Sequence, residues 1–138
     1  MKCRKFSNIS EKTRKQRNRM LAEELKKNPK KCRLSLRDEK GGRCCLQVAE
    51  DLAIKCGLDI KRSDKDEHLP NKLISDFYGW EKYDHDPRLR IYPKDHPKHT
   101  EIIETAANLN DGFSELKNIP KKGFSHKKIA EFFLNTYG

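Results

Sequence analysis

The sequence has no long apolar segment, and only 34% of its 138 residues are hydrophobic. A helix that crosses a bilayer needs roughly 20 consecutive apolar residues, so we expect no membrane-spanning segment and no membrane partner. The first residues also lack the hydrophobic stretch and the small-residue cleavage site of a secretory signal. We therefore expect a cytoplasmic protein, in the host cytosol if the protein is viral.

Common catalytic motifs are missing as well. The chain has no Gly-rich phosphate loop, no G-x-S-x-G, no H-E-x-x-H and no EF-hand loop. It has five cysteines, an odd number that fits a closed disulfide framework poorly, and no C-x-x-C pair for zinc. These absences favour a non-enzymatic protein with no catalytic residue, no metal and no cofactor.

An enzyme remains an alternative on three features of the sequence. Cys44 follows Arg43 at the predicted start of a helix, where a thiolate is favoured, although Cys45 and Cys56 fall on an apolar stripe typical of core residues. The polar segment around His96-x-x-His99 is the part of the sequence that most resembles a metal site. Asn110-Asp111 is either an acid/base element or, as its position at a helix end favours, a turn.

What the sequence does have is positive charge, and the excess is local. Residues 1–43 hold 16 Lys and Arg against 5 Asp and Glu, whereas the other residues hold 15 against 16. Self-repulsion of like charges opposes compaction, so such a concentration favours contact with an anionic partner over a role in folding. A solubilising surface is the alternative interpretation.

Seven of these 16 basic side chains belong to one predicted helix, from about Ser10 to Lys27, with Asn8 as its N-cap, and others follow it. The first half of that helix has almost no apolar residue, so core burial cannot hold it and we expect it either to project into solvent or to lie on a partner. Side chains of this type neutralise phosphates without reading sequence. The predicted anion-binding residues are Lys12, Arg14, Lys15, Arg17, Arg19, Lys26, Lys27, Lys30 and Lys31.

The remaining pattern predicts an α+β fold that is predominantly helical, with four or five short helices and a minor strand or hairpin element at Cys32–Leu36. Cys45, Val48, Ala49, Leu52 and Cys56 recur at helical spacing, and Gly57 ends that helix. Further helices are predicted after Pro70, after Thr100 and after Ser125, with an irregular segment at 81–99. We expect a basic N-terminal arm at 1–19 and one globular domain at 20–138.

Several pieces resemble a group of small uncharacterised proteins of phages and bacteria. They are the helix Gly42-Arg43-Cys44-Cys45-Leu46-Gln47-Val48-Ala49, Leu69-Pro70 leading to Trp80, Leu109-Asn110-Asp111, and Phe124-Ser125 with Ile129-Ala130. The usual signature of that group is a CCLGV-like helix, LP…W, LND and SFxxIA, from which Gln47 departs because Gly is usual there. The resemblance implies one compact domain of viral or mobile-element origin, and no particular chemistry.

The sequence therefore predicts a small basic protein that docks on nucleic acid or a nucleoprotein complex through its N-terminal third. A second hypothesis is an inhibitor or adaptor that binds an acidic host protein in phage–host conflict. In that case an aromatic residue such as Trp80 is the candidate anchor, although core packing is the more common role for a Trp in a cluster with Phe77, Tyr78 and Tyr83.

Overall fold

In the computed structural model, residues 10–28, 30–32, 35–67, 69–80, 106, 109–110 and 122–137 are described. These residues are predominantly helical, as predicted. They form the helices α1 (Glu11–Lys27), α2 (Cys45–Lys55), α3 (Leu73–Tyr78) and α4 (His126–Tyr137), and residues 106 and 109–110 are helical too. In this part of the chain no helix has the length and apolarity that a bilayer crossing requires.

Helix α1 runs through the position at which the sequence predicted the arm to end. Its N-cap is Ser10, whose Oγ accepts from the backbone N–H of Thr13 at 3.1 Å, and not the predicted Asn8. One face of the helix is buried along its whole length, and it packs mainly against α4. That face carries Arg14, Asn18, Leu21, Ala22 and Leu25. The structure therefore has no break between residues 19 and 20.

Helix α2 follows the predicted periodicity. Cys44 is its N-cap, with the thiol Sγ accepting from the backbone N–H of Gln47 at 3.3 Å. The apolar stripe of α2 is buried, and Gly57 follows the last turn with a φ of 104°. Ser125 caps α4 as predicted, because its Oγ accepts from the backbone N–H of Lys128 at 3.2 Å.

The predicted minor strand is not found in the described residues. Arg37 and Arg43 form one isolated antiparallel bridge around a turn in which Asp38 Oδ1 accepts from the backbone N–H groups of residues 40 and 42. The pairing stops there because Cys44 already caps α2. Leu36 is buried, yet its backbone N–H donates to carbonyls of the loop at 65–67 and not to a strand.

The centre of the core is a stack of aromatic rings. The rings of Tyr78 and Trp80 lie 4.8 Å apart at 14°, and Phe133 of α4 stacks on the other side of Trp80 at 5.2 Å and 20°. Trp80, Tyr78 and Phe133 are fully buried. The predicted irregular segment 81–99, with Tyr83, His96 and His99, lies outside the described residues, as does most of the helix predicted from residue 100.

Candidate functional site

The N-terminal half of α1 is attached to the core by polar side chains. Asn18 is completely buried, and its Nδ2 donates to the carbonyls of Arg14 (2.8 Å) and Tyr78 (2.9 Å). Its Oδ1 accepts from Trp80 Nε1 at 2.8 Å. The expectation that this half projects from the core because it lacks apolar residues was wrong, since buried hydrogen bonds hold it where apolar side chains are absent.

Two of the predicted anion-binding arginines take part in this attachment. Arg17 Nη1 donates to the carbonyl of Phe77 at 2.9 Å, and its guanidinium lies 4.1 Å from the centroid of the Phe77 ring. The side chain of Arg14 is only 7% exposed and lies 3.6 Å from a carboxylate oxygen of Glu11. Both guanidinium groups therefore serve the fold in this structure.

Lys31 also points inward. Its ammonium donates to the carbonyls of Asn110, Lys122 and Phe124, each at 2.9 Å. The three carbonyls fill the three donor positions of an ammonium, so Lys31 holds the start of α4 to the helical residues at 109–110. Lys30 is exposed, and its ammonium donates to the carbonyl of Lys40.

The other five predicted residues line the opposite side of α1. Lys12, Lys15, Arg19 and Lys26 are spaced three, four and seven residues apart, which places them on one side of the helix, and Lys27 lies beside Lys26. Lys15 has a side chain that is 44% exposed, and the other four residues are exposed. We call Lys12, Lys15, Arg19, Lys26 and Lys27 the outer basic face.

The outer basic face is strongly asymmetric in charge. Glu23 is the one acidic residue that shares its spacing, while Glu11 lies at its edge and reaches Lys15 at 3.6 Å. An exposed pair at that distance is worth at most about 1 kcal/mol. The face rises about 22 Å along the helix axis from Lys12 to Lys27, so it presents an extended row of cations to the solvent.

A shallow depression of about 380 Å³ lies against the outer basic face. Its described walls include three cations of the face, together with Gln16, Glu23 and the partly buried Met20. The alkyl stems of lysine and arginine supply apolar wall while their charges stay at the rim. The lining therefore combines one apolar side chain, Met20, with three cations, one amide and one carboxylate.

Trp80 is placed in the core. It has 0% exposed surface, because Tyr78 and Phe133 cover its two ring faces and Asn18 takes its N–H. The indole therefore offers no surface to a partner in this structure, and the hypothesis of an adaptor anchored at Trp80 receives no geometric support.

The remaining candidates are the cysteines, histidines and Asp111 on which the enzyme alternative depends. Cys44 is 4% exposed and Cys45 is completely buried, so neither thiol is presented to the solvent from which a substrate would come. Asp111, His96 and His99 lie outside the described residues. In the described part of the chain, no three His, Cys, Asp or Glu side chains come together as a possible metal site.

Glu50 is a buried carboxylate that the sequence did not single out. It accepts from Gln47 Nε2 (3.2 Å) and from the backbone N–H (2.8 Å) and hydroxyl (2.5 Å) of Ser63. Next to it, Asp51 pairs with Arg43 at 2.7 Å and with Arg62 at 2.8 Å. The group clamps the loop at 59–67 onto α2, and its oxygens are already used as acceptors.

The sequence did not single out Asn18, and for Asn110 it offered only an acid/base or turn role. A signal existed for Asn18, because it lies three residues before Leu21 and seven before Leu25 and so shares their helical face. Asn110 is fully buried, accepts from the backbone N–H of Cys45 at 3.0 Å and donates to the carbonyl of Cys32 at 2.7 Å. It is helical, and not the predicted turn residue.

Comparisons of the chain with protein-family models, with curated proteins and with solved structures find no match.

Proposed function

We propose that this protein is a non-enzymatic module that binds nucleic acid through the outer basic face of α1. The observation that carries the proposal is the division of the basic residues. Arg14, Arg17 and Lys31 make contacts within the fold, whereas five cations lie together on one exposed side of one helix. Helices of this kind neutralise backbone phosphates and release counterions.

The arrangement suits a polyanion better than a single charge. The cations form a row along most of α1, and a rigid helix that is anchored at Asn18 keeps the row in place. Because the attachment is made by buried hydrogen bonds, the face is ordered before any partner arrives. Less conformational entropy is then lost on binding than with a disordered basic tail.

The resemblance to small phage and bacterial proteins leads us to propose further that the protein acts in the cytoplasm of a bacterial cell, on nucleic acid or a nucleoprotein complex. The high charge content supports action in aqueous solution, since 38% of the residues are Asp, Glu, Lys or Arg.

The test is the salt dependence of binding. Fluorescence anisotropy with a labelled 20-nucleotide oligonucleotide of mixed sequence is measured between 50 and 300 mM KCl. Five phosphate contacts predict a slope of log Kobs against log[salt] of about −3.5 for a single strand and about −4.5 for a duplex. The triple variant Lys12→Gln, Lys15→Gln, Arg19→Gln is expected to reduce the magnitude of the slope by about 2 to 3.

A matched control removes the same number of charges elsewhere. Lys55, Lys61 and Lys127 are exposed and lie outside α1, and their combined change to Gln is expected to leave the slope unchanged. If the two triple variants lower binding equally, the interaction depends on net charge alone and the assignment to α1 is overturned. If the unaltered protein shows no salt-dependent binding, the proposed function itself is overturned.

A further inference from the structure

The depression beside the outer basic face has a feature that phosphate binding leaves unused. Its lining includes the thioether side chain of Met20, which also packs against the core, and the amide of Gln16. A duplex keeps its bases stacked inside and presents phosphates and groove edges to a protein. Against a duplex, an apolar side chain among these cations would have no partner.

An unstacked base with its flanking phosphates offers a partner to Met20, to Gln16 and to the three cations that line the depression, and Glu23 is the one lining group that it leaves unmatched. Its flat apolar face can lie on the thioether of Met20, since sulfur contacts with aromatic rings are favourable. Its edge can accept or donate a hydrogen bond at the amide of Gln16, and the flanking phosphates can reach Lys12, Lys15 and Arg19. A volume of about 380 Å³ falls at the small end of the range typical of ligand sites, about 300–1,000 Å³.

We propose that α1 binds single-stranded nucleic acid and that the depression receives one base of the strand, with Met20 beneath it. This inference rests on the proposed function and names its ligand more closely. The charge pattern supports it, because three of the residues that line the depression are cations and one, Glu23, is acidic. Single-strand binders combine such a positive track with apolar platforms for bases.

The first experiment compares three labelled probes of one mixed 12-nucleotide sequence: single-stranded DNA, single-stranded RNA and the DNA duplex. We expect either single strand to bind at least about fivefold more tightly than the duplex at 100 mM KCl. A difference between the RNA and DNA strands would identify which sugar the site prefers. Equal affinity for the duplex and both single strands would overturn the inference while leaving the proposed function standing.

The second experiment removes the thioether from the lining of the depression. Met20→Ala is expected to weaken single-strand binding about two- to twelvefold, the range of one sulfur–ring contact, without changing the salt slope or the affinity for the duplex. The matched control is Leu73→Ala, because Leu73 is a large apolar residue on α3 that is 43% exposed. That control is expected to leave binding unchanged.

A third measurement uses the unaltered protein and so does not depend on how a variant folds. The chain has two methionines, Met1 and Met20. Saturating single-stranded DNA is expected to slow the peroxide oxidation of Met20 at least about threefold relative to Met1, as followed by mass spectrometry of peptides. Oxidation of Met20 at the same rate with and without the bound strand would overturn the placement of a base on this residue.

Discussion

Trp80 Nε1 donates a hydrogen bond of 2.8 Å to Asn18 Oδ1, between residues that are 62 positions apart in the chain. The same amide donates through Nδ2 to the carbonyl of Tyr78, so both ends of one buried side chain are engaged by the last residue of α3 and by Trp80 just after it. Asn18 therefore fixes the rotation of α1 about its axis. That rotation decides which basic residues face the core and which face the solvent.

Replacement of Asn18 by Leu is expected to destabilise the protein by about 3 kcal/mol. The change leaves the indole N–H of Trp80 and the carbonyl of Tyr78 without these partners, and each buried polar group left unsatisfied costs about 1–3 kcal/mol. Trp80 is the only tryptophan in the chain, so its fluorescence during urea unfolding reports on this contact directly.

The control for Asn18 is Gln16→Leu, two residues away on the exposed side of α1. A surface change of this kind is expected to alter the free energy of unfolding by no more than about 0.5 kcal/mol. Equal unfolding midpoints for the two variants would contradict the role given to Asn18.

The helices could be predicted from the sequence because their signals are local. The periodic apolar positions of α2, Gly57 after its last turn and Ser125 at the start of α4 each act within a few residues. The predicted strand failed because the chain turns into α2 one residue after Arg43. The backbone N–H of Leu36 then donates to carbonyls in a loop about 30 residues further on, which no local pattern reveals.

The candidate site could be predicted only in part for the same reason. Charge identified α1 as the basic element, but the inward or outward direction of each cation depends on contacts across the chain. Lys31 meets carbonyls that lie 79 to 93 positions away, and Arg17 meets a carbonyl 60 positions away. The sequence alone therefore does not show that Lys12, Lys15 and Arg19 face the solvent. Nor does it show that Arg14 and Arg17 make contacts within the fold.

Gly123 is expected to tolerate no side chain. Its φ is 74°, and a Cβ built there would lie 2.1 Å from the carbonyl oxygen of Asn110 and 2.6 Å from its carbon. Because these are backbone atoms, relief requires movement of the segment that Asn110 ties to α2. Gly123→Ala is expected to cost about 3 kcal/mol or more and to lower Tm by about 10 °C, measured by circular dichroism.

A second glycine, Gly41, is the control that distinguishes the steric clash at Gly123 from the strain of a side chain at positive φ. Gly41 has a similar φ of 85°, but a Cβ there would meet only the flexible end of Lys30 at 3.9 Å. Gly41→Ala is expected to cost only the strain of the left-handed conformation, about 1–2 kcal/mol. A loss of stability at Gly123 no larger than that at Gly41 would show that the contact with Asn110 does not constrain the fold.

His126 is expected to make the stability of the protein depend on pH near neutrality. The residue is 1% exposed, at the start of α4, and its Nδ1–H donates to the carbonyl of Asn28. Burial lowers the pKa of His126 below its ordinary value of 6.5, and the positive charges of Lys31 and Arg43 lower it further. Hydrogen bonds to the backbone of Asn28 and Arg43 oppose this shift in the pKa without reversing it.

The direction of the effect follows from which state binds the proton. The unfolded chain protonates His126 as the pH falls through 6.5, whereas the folded protein keeps it neutral to lower pH. The stabilisation is therefore complete above pH 6.5 and is lost as the pH falls through the folded pKa. At pH 5.5 the loss from this one residue is at most about 1.4 kcal/mol.

Urea unfolding at pH 7.5, 6.5 and 5.5 measures this loss of stability, with His126→Gln as the reference. The other four histidines are common to both proteins, so the difference between the two pH profiles isolates His126. Parallel profiles between pH 7.5 and 5.5 would show that His126 does not titrate differently in the folded and unfolded states.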